Sequence, residues 1–166
     1  IGFCPGAEFG PAKRWPHYHY AELAKQLIDE GYQVVLFGSA KDHEAGNEIL
    51  AALNTEQQAW CRNLAGETQL DQAVILIAAC KAIVTNDSGL MHVAAALNRP
   101  LVALYGPSSP DFTPPLSHKA RVIRLITGYH KVRKGDAAEG YHQSLIDITP
   151  QRVLEELNAL LLQEEA

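Results

Sequence analysis

The run Thr85-Asn86-Asp87-Ser88-Gly89-Leu90-Met91-His92 places a carboxylate, a hydroxyl, a glycine and an imidazole close together in the chain. It follows the apolar run Ala82-Ile83-Val84 and opens a helical pattern that continues to Leu97, so it reads as strand, tight turn and helix. Such a turn directs a helix N-terminus, with its unpaired N–H groups and positive dipole end, beyond the carboxyl end of the strand. That chemistry suits a ligand carrying both phosphate and hydroxyl groups. Ser88 and Gly89 would present hydroxyl and backbone N–H to phosphate, while Asp87 would accept from sugar hydroxyls or counter a cationic transition state. His92, three residues beyond Gly89, looks back over the same turn. Asp, Ser and Gly are also the ordinary residues of a well-capped helix start, and the turn alone leaves both readings open.

A second cluster lies in the loop from Gly6 to Pro16, where Lys13 and Arg14 follow a first strand-like run. A lysine there can neutralise a diphosphate leaving group as charge develops, or it can be a solvated loop cation. Trp15-Pro16 reads as packing this loop onto the next helix. Asp42, beyond the second strand, suits a ribose hydroxyl or a helix N-cap. His17, His19 and Tyr20 begin a helix, on its exposed and half-buried faces. His43, His118 and His130 show no pairing pattern. The chain has no GxxxxGK[ST] loop, no GxGxxG after the first strand and no Asp-x-Asp pair. Phosphate charge must therefore be met by a helix N-terminus and side chains.

These groups are positioned by alternating elements. Apolar strand-like runs occur at Ile1–Cys4, Gln33–Phe37, Arg62–Leu64, Ala82–Thr85, Leu101–Tyr105 and Val122–Ile126. Helical patterns lie between them: around Tyr20–Ile28 with Gly31 as stop signal, Asp42–Leu53, Leu70–Ala79 and Ser88–Leu97. A last helix starts at Thr149-Pro150 and carries Val153, Leu154, Leu157, Leu160 and Leu161 on its apolar face. Residues 127–144 have no usable periodicity. Continuous apolar strands separated by amphipathic helices predict an α/β fold, a doubly wound parallel sheet covered on both faces. Ligands then bind beyond the carboxyl ends of the strands, where the polar turns fall.

The bulk properties agree. The chain has 166 residues, 47% of them hydrophobic and 20% charged, which suits one domain with a sizeable core and argues against disorder. With 14 basic and 19 acidic residues the net charge is −5, which argues against a nucleic-acid partner. Lys131, Arg133 and Lys134 form the only local basic cluster and read as a solvated loop. Cys4, Cys61 and Cys80 show no zinc spacing and read as buried free thiols of a reducing compartment. The chain starts at Ile1 inside an apolar run and its single methionine is Met91, so it reads as half of a longer protein.

Five motifs occur in order: Gly6-Ala7 with Lys13, Trp15 and Pro16; Phe37-Gly38-Ser39; Asn63-Leu64-Ala65-Gly66; Asn86-Asp87-Ser88-Gly89 with His92; and Tyr105-Gly106-Pro107 with Pro110. This set resembles the ADP-heptose:lipopolysaccharide heptosyltransferases, glycosyltransferase family 9, over nearly the whole chain. It corresponds to the C-terminal, Rossmann-like, donor-binding half of a two-domain GT-B enzyme, the N-terminal acceptor domain being absent. The resemblance implies inverting, metal-independent transfer of L-glycero-D-manno-heptose from ADP-heptose to the lipopolysaccharide inner core. No cofactor is implied beyond the donor substrate. The partners implied are the lipopolysaccharide acceptor and the N-terminal domain. A cytoplasmic location at the inner face of the bacterial inner membrane is implied too, with peripheral membrane association allowed.

By the same resemblance Lys13 contacts the donor phosphates, and Asp87, Ser88, Gly89 and His92 hold diphosphate and heptose. The adenosine pocket falls around Ser39, Asp42, Thr68 and Leu70. Lys13 and Asp87 are the expected catalytic residues, with the general base in the N-terminal domain, so the isolated chain is expected to bind donor without turnover. The final helix, which in GT-B enzymes packs across to the other domain, is expected to be loosely held. The competing readings are a GT-B relative acting on another nucleotide sugar, such as a UDP-sugar transferase or epimerase, and a non-catalytic nucleotide-binding module.

Overall fold

The computed structural model describes residues 1–7, 10–128 and 139–165. Lys131, Arg133, Lys134 and His130 lie outside the described residues. Six strands form one parallel sheet: β1 (Gly2–Cys4), β2 (Val34–Leu36), β3 (Cys61–Asn63), β4 (Ile83–Asn86), β5 (Leu101–Tyr105) and β6 (Ala120–Arg124). Their spatial order is β3-β2-β1-β4-β5-β6, and every neighbouring pair is parallel. This is the doubly wound α/β fold expected from the apolar runs. The chain order reverses between β1 and β4, which opens a crevice at their carboxyl ends.

Between the strands come α1 (His17–Asp29), α2 (His43–Ala51), α3 (Thr55–Gln58), α4 (Leu70–Ala79), α5 (Gly89–Ala96), α6 (Gln143–Ile146) and α7 (Pro150–Glu165). Single 3-10 turns occupy Pro11–Lys13 and Ala40–Asp42. α1 stops at Gly31, which adopts φ +95° as a residue without Cβ can. Thr149 caps α7 by accepting from the Arg152 N–H at 3.2 Å, with Pro150 as first helical residue.

The two sheet faces differ. One is covered by α1, α2 and α7, and its core includes Phe3, Trp15, Tyr20, Leu23, Leu27 and Leu157. The other is covered by α4 and α5 and contains Cys4, Phe37, Ile77, Met91, Ala94 and Ala95. α7 is not loosely held. Val153, Leu154, Leu157, Leu160 and Leu161 are all buried, and the helix packs on α1 and β5. Glu156 pairs with Arg121 at 3.1 Å and Glu164 with Lys119 at 2.9 Å. A leucine-rich stripe meeting a sheet face has enough to bury within this chain, at about 2 kcal/mol per large side chain.

Two further expectations shift. β6 lies two residues earlier than the apolar run suggested, because at the sheet edge only Ile123 of its five residues is buried. Tyr20 is wholly buried rather than half-buried.

Candidate nucleotide-sugar site

The crevice between β1 and β4 is held shut at its base by one side chain. Asn86, the last residue of β4, is fully buried and uses both ends of its amide. Its Oδ1 accepts from the Trp15 N–H at 3.0 Å and the Tyr20 hydroxyl at 2.9 Å. Its Nδ2 donates to the carbonyls of Pro5 at 2.7 Å and Gly6 at 3.3 Å. One amide thus ties the loop after β1, the start of α1 and the end of β4 together. Trp15 completes the clip: its indole N–H donates to the Ile148 carbonyl at 2.8 Å and its ring meets Tyr20 edge-on. Packing, rather than ligand contact, is the role expected of Trp15.

Above this clip, on the α4/α5 face, opens a cavity of 710 Å³. Cys4, Phe37, Leu70, Ala73, Leu90 and Val93 supply its apolar wall, and Ser39, Asp42, Thr68, Ser88 and Gly89 its polar positions. Arg14 and Lys41 bring positive charge to the same space. Burial pushes the Cys4 thiol up to about 12, so this wall stays neutral.

α5 begins at the edge of the cavity. Ser88 occupies its N-cap position in extended conformation, yet its side chain makes no capping bond. Its hydroxyl instead lies 3.4 Å from the Thr85 hydroxyl. The first N–H groups of α5 are thereby left without the side-chain acceptor that a cap supplies. At Gly89 a Cβ would meet nothing within 4 Å, so protein packing does not demand the glycine there. Open space before uncapped N–H groups is an anion site in form. A matching donor belongs to a residue of the same cavity lining: Arg14 Nε is buried and has no hydrogen-bond partner among the described residues.

Asp42 is largely committed to the protein. Its Oδ2 accepts from the Ser39 N–H at 2.9 Å and the Ser39 hydroxyl at 3.1 Å, and its Oδ1 lies 3.6 Å from Arg14 Nη2. It closes a reciprocal cap around the Ala40–Asp42 turn as third residue, and it also stands at the N-cap position of α2, where its side chain makes no capping bond. Gly6 is required by this packing, since a Cβ there would fall 2.2 Å from Asp42 Oδ1. Asp42 therefore holds the loops after β1 and β2 together at the cavity wall.

Of the residues singled out from sequence, Ser39, Asp42, Thr68, Leu70, Ser88 and Gly89 converge on the cavity. Lys13, Asp87 and His92 are not among its lining residues. Lys13 ends the Pro11–Lys13 turn, and that turn leaves its neighbour Arg14 at the cavity. His92 is exposed on α5. Asp87 turns the other way, its Oδ2 accepting from the Thr113 hydroxyl at 3.0 Å in the loop after β5. Asn86 and Lys41 were not assigned a role from sequence. Nothing in the residue order signals that Asn86 bonds to positions 71 and 81 residues away.

A doubly wound sheet with an uncapped helix N-terminus at its switch point is an arrangement suited to a phosphate-bearing ligand. The chain belongs to glycosyltransferase family 9 (heptosyltransferase), whose sequence profile it matches over residues 1–142. It is 94% identical to lipopolysaccharide heptosyltransferase 2 of Salmonella typhimurium across 99% of its own length and 47% of that protein. The structure of E. coli ADP-heptose lipopolysaccharide heptosyltransferase II superposes with a TM-score of 0.93 at 94% identity, over the whole of this chain and 47% of that one. An E. coli heptosyltransferase solved with ADP-2-deoxy-2-fluoro heptose matches at 25% identity and a TM-score of 0.70, over 99% of this chain and 42% of that one. The chain spans about half the length of the curated relatives it matches.

Proposed function

We propose that this chain is the donor-binding half of an enzyme that transfers L-glycero-D-manno-heptose from ADP-heptose to the inner core of lipopolysaccharide. The observation that carries the reading is the uncapped N-terminus of α5 at a cavity beside the switch point, whose lining also includes Arg14 with its unpartnered Nε. In this reading the base lies against the apolar wall near Leu70 and Ala73, with Ser39, Asp42 and Thr68 towards the ribose. The diphosphate rests on the N–H groups after Ser88, where the helix dipole and Arg14 at the cavity wall offset its charge, with Lys13 reaching in from the adjoining Pro11–Lys13 turn. Departure of ADP concentrates negative charge on that diphosphate, so donors already in place there favour the transition state without a metal. Asp87 and His92 border the sugar.

The general base and the acceptor site belong to the N-terminal domain of the full-length protein. The reading includes work at the inner face of the bacterial inner membrane. Among the described residues no helix is long and apolar enough to cross a membrane, and a peripheral enzyme needs none.

Calorimetry and donor-turnover assays test this. The full-length protein is expected to bind ADP in preference to UDP and to transfer heptose, with metal chelation leaving the rate unchanged. Lys13→Ala and Asp87→Ala are each expected to lower kcat/KM by about a hundredfold, as loss of a preorganised charge contact does. The chain alone is expected to bind ADP without transferring heptose. Preference for UDP, or full activity of both variants, overturns the reading.

A further inference from the structure

Ser88 and Gly89 line the cavity, while the next side chain back along the turn, Asp87, faces the loop that follows β5. That loop carries a second built arrangement. Thr113 is anchored through its backbone: its N–H reaches the Ser109 carbonyl at 3.3 Å, and its own carbonyl accepts from the Tyr105 hydroxyl. Tyr105 is wholly buried at the end of β5, with its hydroxyl also 3.3 Å from the Met91 sulfur of α5. Pro114 and Pro115 follow directly and restrict the backbone on the other side of Thr113. The Thr113 hydroxyl, held in this way, donates to Asp87 Oδ2 at 3.0 Å, with the Ser109 carbonyl as a longer alternative acceptor at 3.4 Å. No donor among the described residues bonds Oδ1.

We propose that Thr113 is a positioning residue that sets the Asp87 carboxylate for the sugar of the donor, separating recognition of the sugar from recognition of the nucleoside diphosphate. This rests on the donor-binding reading above. The order along the carboxyl edge of the sheet carries it: Thr68 and Leu70, then Ser88 and Gly89, then Asp87, then Thr113. That is the order of nucleoside, diphosphate and sugar in one extended ligand. A carboxylate with one oxygen held by a fixed hydroxyl presents the other in a single direction. A sugar hydroxyl arriving there meets an acceptor that does not have to reorient. A nucleoside diphosphate without its sugar does not reach Asp87 and gains nothing from the arrangement.

The test uses the full-length protein with two probes, ADP and ADP-2-deoxy-2-fluoro heptose, titrated by calorimetry. Thr113→Val keeps the shape and removes the hydroxyl, and Thr113→Ser keeps the hydroxyl. Thr113→Val is expected to retain ADP affinity within about twofold and to lose about tenfold on the sugar nucleotide, the usual scale for one hydrogen bond to a charged group. Thr113→Ser is expected to recover most of that loss, and Thr113→Val is expected to add nothing in an Asp87→Asn background. Equal losses on both probes mean that the change acts on loop folding, and no loss on either means that Asp87 needs no support; each overturns the proposal. Failure of the unsubstituted protein to bind ADP overturns the donor-binding reading itself, a separate result.

Discussion

The two faces of the sheet are built from the same strands and do different work. The face under α1, α2 and α7 is sealed by aromatics and leucines, with Trp15, Tyr20, Phe3 and Leu157 almost inaccessible. The face under α4 and α5 has the smaller core, in which Ala94 and Ala95 pack beside Phe37, Met91 and Tyr105. Its helix α4 leaves Leu70 and Ile75 each 68% exposed, and the 710 Å³ cavity opens at its upper edge. Small residues near a switch point leave volume for a ligand that the protein itself does not fill. The sealed face holds the larger core and the other face the candidate site, with Asn86 as the joint between them.

The largest test of that contrast is a pair of truncations. Leu157→Ala on the sealed face is expected to cost about 3 kcal/mol in denaturant unfolding, the cost of deleting a fully buried leucine side chain. Ile75→Ala on α4 is expected to stay within about 0.5 kcal/mol, as for an exposed side chain. Comparable losses at the two positions would break the comparison.

Asn86→Ala comes next and probes the joint. It leaves the Pro5 and Gly6 carbonyls, the Trp15 N–H and the Tyr20 hydroxyl without their shared partner. A loss of about 2 kcal/mol is expected by chemical denaturation, together with weaker ADP binding because the loop after β1 forms a cavity wall. An unchanged ADP affinity in a destabilised variant would show that the joint serves the sealed face alone.

The smallest expected effect is a pH dependence confined to the sealed face. Burial holds the His19 imidazole below its ordinary value of 6.5, against the opposing effect of its bond to the Ile146 carbonyl. The unfolded chain therefore binds a proton in a range where the folded one does not, and stability falls as pH drops below 6.5. His19→Gln is expected to flatten that part of the profile of melting temperature against pH. A profile as steep as the parent's assigns the acid sensitivity elsewhere.

Much of the fold was legible because its signals are local. α4 begins at Leu70 and ends at Ala79 as its apolar pattern indicates, and β5 spans Leu101–Tyr105 as its unbroken apolar run indicates. Those strands are buried on both faces, so composition alone marks them as parallel and central. The edge strand β6 has only one buried residue, and there the apolar signal misplaced the boundary.

The residue types at the candidate site were likewise legible. Asp42, Ser88 and Gly89 stand out as residues of strand-end turns, whereas Ser39, Thr68 and Leu70 are implied as site residues only by the family resemblance; all six line one cavity. Tertiary structure decided which way each neighbour faces. A single 3-10 turn brings Arg14 rather than Lys13 to the cavity, and the turn after β4 sends Asp87 towards Thr113 while Ser88 faces the opposite side. It also decided that Ser88 leaves α5 uncapped, which the sequence, rich in good cap residues, left open. Spacing along the chain determines which groups are near one another, but a side chain's direction depends on backbone dihedrals and on distant partners. For Asn86 those partners arrive only when the sheet has formed.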